Sequence, residues 1–422
     1  MNGTKIRKIV GQQIFDSRGI PTVFAEVILE SGIKASACVP SGASTGKYEA
    51  VELRDNDKNY NGKGVSKAVN NINTTINELL HGMDTFEQAK IDNTMNKADG
   101  TENKSKFGAN AILAVSLACA KAAAKSLNID LYKYLGGINS NVLPIPMMNI
   151  LNGGAHADNN VEIQEFMVFP SGASSFLEAM QMGTEIYSEL KGILKSKKLS
   201  TGVGDEGGFA PNLDKDEQAL ELLVNAIEKA GYRAGEDVFI CLDVAAGEWN
   251  DGNGSYKFPK KSQNISSKEL FSYYKSLIKK YPIVSIEDPF SDDDFENFSK
   301  FTEEINNKIQ IVGDDLFVTN VKRLRKGISL KSGNAILIKP NQIGTLTETL
   351  SAIKLAQQSG YKTIVSHRSG ETEDTSIADI AVATNSGQIK TGAPCRSERV
   401  CKYNRLLQIE TQLGSFSQYG LK

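Results

Sequence analysis

The residues of this chain that could do chemistry stand at the ends of short apolar stretches. Val284–Pro289 (VSIEDP) is an apolar, β-branched run that ends at Glu287, and its proline prevents the strand from continuing. The same design recurs about every 25 residues, which is the length of a strand, a helix and two loops. The titratable residues at these strand ends are Asp243, Glu287, Asp314, Lys339, His367 and Lys390. One acid after a strand is usually a helix cap, but six titratable groups in one register indicate the active-site rim of an enzyme.

Three of these residues suggest a metal site. Asp243, Glu287 and Asp314 offer only carboxylate oxygens, with no Cys or His at the matching positions. Hard oxygen ligands favour Mg²⁺, which keeps some waters that a substrate can displace. Lys339 ends the next strand, and a lysine close to cations and away from water favours its neutral form. It is therefore a candidate base. The alternatives are three helix caps and a salt bridge between the lysine and a neighbouring acid.

Other residues supply an anion clamp and an acid. Arg368 and Ser369 place a planar guanidinium, whose N–H groups form a fork, and a hydroxyl directly after a strand. This pair suits the binding of a phosphate or carboxylate, and Lys390 adds a point charge. Glu165 and Glu206 are expected on separate loops. If they meet, one carboxyl is pushed toward its protonated form and can act as an acid. His156 and His367 fall within these clusters, where a buried hydrogen-bonding role is the alternative.

Taken together, these groups suit one type of reaction. A metal, an anion clamp, a base and an acid on different loops can remove a proton next to a carboxylate, stabilise the resulting dianion on cations and expel a β leaving group. The pattern therefore predicts an eliminating enzyme.

The elements that must position these residues follow from periodicity. Residues 5–40 alternate apolar and polar, which predicts an antiparallel meander, and helical patterns follow at 65–80, 84–97 and 109–127. Gly136-Gly137 marks the predicted boundary between domains at 1–137 and 138–422. In the second domain, buried parallel strands that read as continuous apolar runs predict a barrel of the (β/α)8 type, with its chemistry at the C-terminal ends of the strands.

Two glycine-rich motifs do not fit nucleotide binding. Pro40–Lys47 (PSGASTGK) falls one residue short of a phosphate-binding loop, and Tyr48 stands where Ser or Thr is needed, so a mobile loop is predicted. Gly202–Gly207 matches the dinucleotide fingerprint, but Phe209-Ala-Pro211 follows where a helix should begin. A loop presenting Asp205 and Glu206 fits better. The chain Asp251–Gly254 (DGNG) predicts the turn of a hairpin, and capping boxes begin at Ser266 and Thr345.

Composition limits the class of protein. The 422 residues are 40% hydrophobic and 23% charged, and the net charge of −2 gives no reason to expect nucleic acid or an anionic membrane as the main partner. The five cysteines are an odd set without a CxxC spacing, which indicates reduced structural thiols in a cytosol. The start lacks an apolar signal region, and Lys121 and Lys125 interrupt the most apolar helix, so neither a secretory signal nor a membrane span is expected.

Eight segments together resemble one known family. They are FDSRGIPT, VPSGASTG, LNGGAHADNNVEIQEFM, GDEGGFAPN, SIEDPF, VGDDLFVTN, KPNQIGTLTE and SHRSGETEDT. In this order, from about residue 5 to 415, the chain resembles the enolase family. The resemblance implies conversion of 2-phosphoglycerate to phosphoenolpyruvate and water with two Mg²⁺ ions per site. It also implies an α/β fold: a smaller α+β N-terminal domain, then a barrel whose first strands and helices depart from strict βα alternation.

The resemblance assigns a role to each site residue. Lys339 resembles the base that takes the α-proton, and Glu206 resembles the acid that assists loss of hydroxide, with Glu165 beside it. Asp243, Glu287 and Asp314 match the ligands of the first Mg²⁺, and Ser44 matches the loop ligand of the second. The expected substrate contacts are His156, Gln164, His367, Arg368, Ser369 and Lys390.

Some alternatives stay open. Another member of the superfamily, such as an acid-sugar dehydratase, would lack the phosphate clamp and the GDEGG acid loop. From a different class, the chain could be a surface adhesin that binds plasminogen through its terminal Lys422. We expect a cytoplasmic enzyme, with a surface location as the alternative, that takes a small phosphorylated substrate. A homo-oligomer is expected, but the sequence does not distinguish a dimer from an octamer built of dimers.

Overall fold

The smaller domain begins with the predicted meander. The computed structural model describes residues 3–42, 46–157, 159–252, 255–306 and 308–421. Strands β1 (Ile6–Phe15), β2 (Pro21–Leu29) and β3 (Lys34–Cys38) pair antiparallel in sequence order. The helices that pack beside them are α1 (Ser66–Asn71), α2 (Asn77–Leu80), α3 (Gln88–Asp99), α4 (Ala109–Ser126) and α5 (Leu131–Gly136). Almost every side of α4 is buried, which its small alanines permit because they let neighbouring elements approach closely.

The larger domain contains the remaining strands and helices. Its strands are β4 (Val142–Leu143), β5 (Ile145–Asn152), β6 (Glu165–Phe169), β7 (Phe239–Asp243), β8 (Ser255–Phe258), β9 (Gln263–Ser266), β10 (Ile283–Glu287), β11 (Gln310–Gly313), β12 (Ala335–Ile338), β13 (Lys362–Ser366), β14 (Gly387–Lys390) and β15 (Gln418–Tyr419). Its helices are α6 (Phe176–Ser196), α7 (Asp216–Lys229), α8 (Ser267–Lys280), α9 (Phe295–Ile305), α10 (Val321–Leu330), α11 (Pro340–Ile343), α12 (Leu346–Gln358), α13 (Ser376–Ala383) and α14 (Ser397–Leu413).

Eight strands close into a barrel in the order β5, β6, β7, β10, β11, β12, β13 and β14. Strand β6 is antiparallel to both of its neighbours, and the other barrel pairs are parallel. The predicted fold class is therefore confirmed, including the departure of the first strands from strict alternation. A small apolar cluster that includes Met147, Met167 and Cys241 fills the barrel interior. This cluster is the floor of the site described below.

Several local predictions can be compared with the structure. Ser266 forms a complete capping box with Glu269, and the Thr345 hydroxyl accepts from the Glu348 N–H. The hairpin after Asp243 exists as β8 and β9, which residues 259–262 connect. Two residues of the predicted DGNG turn, 253 and 254, lie outside the described residues, and Asn250 and Tyr256 on either side of it form an antiparallel bridge. Residues 250–252 precede β8, where the Asp251 N–H donates to the Ser255 carbonyl.

Membrane-spanning length was tested on the same helices. Within the described ranges, no single helix is long and apolar enough to cross a membrane. Helix α4 taken together with the sharply bent segment Leu131–Asn139 passes that test by length and composition only.

The two domains meet at the segment that follows β13. Ser41 and Gly370 exchange two backbone hydrogen bonds of 2.7 and 2.9 Å. Beside them, Tyr48 donates to Asp293 at 2.6 Å, and the guanidinium of Arg323 lies 3.8 Å from the centre of the Tyr48 ring. These contacts hold the end of the Pro40–Lys47 segment against the mouth of the barrel.

Candidate active site

Strand register places three carboxylates in one row at the mouth of the barrel. Glu165 pairs with Asp243 across β6 and β7, and Asp243 pairs with Glu287 across β7 and β10. Side chains alternate along a strand, so Asp243 and Glu165 share their strand faces with Cys241 and Met167 of the interior cluster. The row therefore points into the barrel from its rim, directly above an apolar floor.

A lysine from the opposite side completes this row. The Nζ atom of Lys390 lies 2.8 Å from both Asp243 and Glu287 and 3.2 Å from Glu165. These carboxylates raise the pKa of Lys390 well above its usual range, although burial alone would lower it. The predicted point charge of Lys390 therefore lies among the predicted metal ligands, within reach of the cavity.

The candidate base Lys339 is paired with an acid. Its Nζ donates to Asp314 Oδ2, and Gln342 donates to the other oxygen of Asp314 at 2.9 Å. Burial lowers the pKa of Lys339, but the charges of the surrounding acids, Asp314 above all, together outweigh burial and raise it to about 12. This direction is the opposite of the shift that we expected, and it agrees with the alternative of a salt bridge.

The donor set fits a divalent cation. Burial and the charge of Asp243 raise the pKa of Glu287 well above its usual range, which shows that negative charge is in excess even with Lys390 beside it. Asp288, Asp314 and Asp315 also have oxygens within 4.8 Å of one another. A cation held by carboxylate oxygens would relieve this repulsion. Asp243 and Glu287 meet at Lys390, whereas Asp314 lies with Asp288 and Asp315, so the predicted Mg²⁺ ligand set of Asp243, Glu287 and Asp314 stays a prediction. Ser44, the expected ligand of a second ion, lies outside the described residues.

The two glutamates predicted as an acid pair do meet. His156 Nδ1 lies 3.4 Å from Glu165 and 3.8 Å from Glu206. Burial and the charge of Glu206 raise the pKa of Glu165 to about 7. Burial would raise the pKa of Glu206, but the interactions of its carboxyl with His367, His156 and Arg399 together outweigh burial and hold this pKa well below its usual range. The two carboxyls of the pair are therefore shifted in opposite directions.

The two histidines carry different charges. Burial opposes charge on His156, but Glu206 and Glu165 outweigh it and raise its pKa to about 9. Burial lowers the pKa of His367 to about 4. Arg399 contacts His367 Nδ1 at 2.7 Å, and a guanidinium only donates, so the neutral ring carries its proton on Nε2. That nitrogen faces Glu206 at 3.4 Å.

Sequence reasoning missed Arg399. Its side chain is fully buried and donates to three carbonyls, those of Arg368, Ser369 and Asp205, at 2.6, 2.6 and 3.1 Å. It therefore joins the loop after β13 to the acid loop that carries Glu206. Arg399 lies in α14, far along the chain from both loops, and no local motif marks it.

The acid loop depends on glycine. Gly207 has a φ of +88°, which favours glycine, and a Cβ atom on Gly208 would lie 2.1 Å from Asn152 Oδ1. Tyr187 donates to the Gly207 carbonyl at 2.7 Å and stacks on Phe209. The predicted glycine-flanked loop is therefore a tight turn that presents Glu206.

The anion clamp already holds a carboxylate of the smaller domain. Arg368 donates from Nη1 and Nη2 to the two oxygens of Glu49 at 2.9 and 3.1 Å, and from Nη1 to Asn341 at 3.2 Å. Sequence analysis did not single out Glu49. Ser369 lies next to Arg368 on the cavity wall, and Gln164 points its amide toward Asp243 at 3.4 Å.

One cavity of about 340 Å³ brings these groups together. Its walls are formed by the loop ends of both domains, and His156, Glu206, Asp243, Lys339 and Arg368 all line it. Glu165 Oε2 and His156 Nδ1 are buried, and each faces a charged group across the cavity wall: Lys390 lies 3.2 Å from Glu165 Oε2, and Glu165 Oε1 lies 3.4 Å from His156 Nδ1.

Comparison with known protein families agrees with this geometry. A model described as "Enolase, N-terminal domain" matches residues 6–135, and one described as "Enolase, C-terminal TIM barrel domain" matches residues 140–422. The chain belongs to the enolase family. These matches support an enolase-type lyase.

Proposed function

We propose that this enolase-family chain catalyses the reversible dehydration of 2-phosphoglycerate to phosphoenolpyruvate. The observation that carries the proposal is the convergence on one cavity of a lysine, a pair of coupled glutamates and an arginine fork. The reaction removes a proton from one carbon and hydroxide from the next. It therefore needs a base, an acid and a clamp for the phosphate at separate places around one small molecule.

Arg368 and Ser369 are the groups suited to the phosphate. A guanidinium can form two parallel hydrogen bonds with a phosphate, which fixes both its position and its orientation. Arg399 donates to the carbonyls of both residues and so keeps this short segment in place. The carboxylate of the substrate would then lie toward the row of acids, where Lys390 offers a positive charge.

Lys339 is the proposed base. A protonated ammonium accepts no proton, so its pKa must fall from about 12 before it can act. The residue that raises this pKa most is Asp314, which is also a proposed metal ligand. If Asp314 bound a cation, its negative charge would stabilise the ammonium of Lys339 less. The pKa of Lys339 would then fall, and its neutral form would be favoured.

The proposed acid is the Glu165–Glu206 pair. Departing hydroxide must receive a proton, and His156 lies beside both carboxylates of the pair, at 3.4 and 3.8 Å. The pKa of Glu165 is raised and that of Glu206 is lowered, whereas the family resemblance gives the acid role to Glu206. We therefore propose that the pair acts as a unit, because strongly interacting sites titrate together.

Asp243, Glu287 and Asp314 are the residues that would hold Mg²⁺. When bound, Mg²⁺ supplies positive charge beside the substrate carboxylate, and a base together with Mg²⁺ is the known pattern of the enolase superfamily. The row of strand ends supplies these ligands from three neighbouring strands of a rigid barrel. Their positions are therefore fixed before any substrate arrives.

Ultraviolet absorbance tests the proposed function directly. Purified protein with Mg²⁺ and 2-phosphoglycerate should develop the absorbance of a C=C bond conjugated to a carboxylate, and Lys339→Ala should not. An acid-sugar substrate that turns over in place of 2-phosphoglycerate would contradict the proposal.

Three expectations remain predictions. The surface role depends on Lys422, which lies outside the described residues, and deletion of that residue would test it. The cytoplasmic location and the homo-oligomer likewise rest on the sequence alone. The domain boundary at residue 137 also stays a prediction.

A further inference from the structure

The fork of Arg368 is occupied by a side chain from the other domain. Glu49 spans both terminal nitrogens of the guanidinium, and the Glu49 side chain is only 6% exposed. Glu49 Oε1 also accepts from the N–H of Gly46 at 3.1 Å. One carboxylate therefore holds both the anion clamp of the barrel and the end of the Pro40–Lys47 segment.

We propose that Glu49 is an internal competitor for the anion-binding fork, so that a phosphoryl ligand binds only by displacing it. This inference rests on the proposed function, because it takes Arg368 as the phosphate clamp. A carboxylate and a phosphate both prefer a pair of parallel hydrogen bonds from a guanidinium, and Glu49 takes the pair of N–H groups that Nη1 and Nη2 of Arg368 direct toward it. A phosphate can use this pair only when Glu49 leaves it. Two anions side by side in a buried place also repel each other strongly.

The surroundings of Glu49 add to this competition. Gly46 lies close to two carboxylates. A Cβ atom built on Gly46 would lie 2.9 Å from Asp315 Oδ1 and 3.4 Å from Glu49 Oε1. A further anion inserted there would face Glu49 and Asp315 at once. Displacement of Glu49 removes one of these charges and also removes the acceptor of the Gly46 N–H. Anion binding is thereby linked to release of the Gly46 anchor, and linkage acts equally in both directions.

The consequence is a selectivity for ligands by charge. A ligand must bind the fork better than Glu49 does, and a phosphate offers more negative charge and more acceptor oxygens than a carboxylate. Simple carboxylates should therefore compete poorly with Glu49, whereas phosphorylated ligands should succeed. Glu49 is thus a specificity-determining residue supplied by the smaller domain.

Calorimetric titration with inorganic phosphate tests the inference. Compared with the unmodified protein, Glu49→Gln should bind phosphate about ten- to a hundredfold more tightly, the factor that a charge-assisted hydrogen bond contributes. Glu52→Gln is the control for charge alone, because Glu52 lies in the same segment and its charge also acts on Arg368, but its side chain pairs with Arg54 at 2.5 Å. Its effect should be clearly smaller than that of Glu49→Gln.

A double-mutant cycle separates competition from general electrostatics. In an Arg368→Lys background the fork is gone, so Glu49→Gln should no longer tighten phosphate binding. Equal tightening in both backgrounds, or none in either, would overturn the inference. Glu49→Asp keeps the charge but is too short to span the two terminal nitrogens of Arg368, so it should also tighten phosphate binding. It replaces Glu49→Gln in this test if that variant does not fold.

The proposed function is tested separately by turnover of 2-phosphoglycerate in the unmodified protein. Tight phosphate binding by Glu49→Gln without any such turnover would keep the competitor role and contradict the proposed reaction. Turnover with unchanged phosphate affinity in Glu49→Gln would do the reverse.

Discussion

Chemically similar side chains in this site have different charge partners and different pKa shifts. Glu165 and Glu206 are both buried carboxyls beside His156, yet their pKa values are shifted in opposite directions. Lys390 contacts three carboxylates, and Lys339 is paired with Asp314. The proposed base Lys339 is thus paired with Asp314, and the proposed acid pair lies beside His156. Because the two sets of partners differ, substitution can separate the two proton steps of the proposed reaction.

Lys339→Ala and Glu206→Gln should have different effects on hydrogen exchange. Without its base, Lys339→Ala should lose turnover and also lose exchange of the substrate α-hydrogen with solvent. Glu206→Gln should lower turnover by about 10²–10⁴-fold, the usual contribution of an acid or base, while exchange remains measurable. NMR of 2-phosphoglycerate in deuterated buffer measures exchange directly. Equal loss of exchange in both variants would show that the roles are wrongly assigned.

His156 should titrate far above His367. The chain has three histidines, so their ring signals can be assigned by single substitutions and followed by NMR in buffer with a chelator. We expect pKa values of about 9 for His156 and about 4 for His367. Glu206→Gln should lower the pKa of His156, because the charge of Glu206 is the main cause that raises it.

The shift of His156 also has a consequence for stability. A folded-state pKa raised from 6.5 to about 9 stabilises the protein fully below pH 6.5, and this contribution is lost as the pH rises through 9. The destabilisation caused by His156→Ala should therefore be largest near pH 6 and should shrink toward pH 10, which denaturant titration can follow. A difference that grows with pH would contradict the assigned charge.

Hydrogen bonds join the end of strand β10 to the end of the neighbouring strand β11. Asp288 follows Glu287 directly, and its two oxygens accept from the N–H groups of Asp314 and Asp315 at 2.9 and 2.8 Å. Asp288 itself has a φ of +41°, an uncommon conformation for a residue other than glycine. One residue thus sets the spacing between two proposed metal ligands, Glu287 and Asp314, on neighbouring strands.

Asp288→Asn should weaken Mg²⁺ binding without removing any ligand. An asparagine can accept only one of the two hydrogen bonds, and its amide would face the other N–H. We expect a loss of Mg²⁺ affinity of about 10- to 100-fold by calorimetry, which is typical when a partner of a metal ligand is changed.

Two further variants calibrate this measurement. Asp314→Ala should remain folded and lose tight binding altogether, because it removes a ligand. Asp294→Asn changes the N-cap of α9 in the same loop and should have no effect on affinity. Unchanged Mg²⁺ affinity in Asp288→Asn would mean that the strand ends are spaced by other contacts.

Sequence patterns predicted the elements better than the contacts between them. The strand period and the breaking residue Pro289 locate the rim, because these signals are local. Arg399 and Glu49 have no such signal, since each meets its partners only after the chain has folded. For the same reason the direction of the Lys339 pKa could not be predicted, because it depends on the distance to Asp314. The roles of the site residues remain predictions, although the described ones lie around a single cavity.

For the whole molecule, the junction between domains is a network of buried polar contacts. Asp374, after β13, accepts from Lys121 of α4 at 2.6 Å and from the Cys38 N–H at 3.0 Å. Although burial raises the pKa of Asp374, the charge of Lys121 outweighs it and lowers that pKa. The smaller domain is thereby tied to the loop that carries the anion clamp.

Asp374→Ala should destabilise the protein markedly. It leaves Lys121 and the Cys38 N–H without their buried acceptor, and breaking a buried ion pair from one side costs about 3 kcal/mol. Scanning calorimetry should show a lower unfolding temperature. Lys125→Ala is the matched control on the exposed side of α4 and should leave that temperature almost unchanged. Equal effects of the two variants would indicate that the junction does not depend on this pair.

The position of Arg399 in the chain has a consequence for biosynthesis. Synthesis runs from the N-terminus, so every residue proposed to touch the substrate leaves the ribosome before α14, which carries Arg399, and before β15, which pairs with β4. A nascent chain that stops short of α14 holds all of the reactive side chains but cannot hold the loops of Arg368 and Glu206 together. We therefore expect a chain truncated before Ser397 to be inactive, because it lacks the contacts with which Arg399 joins these loops.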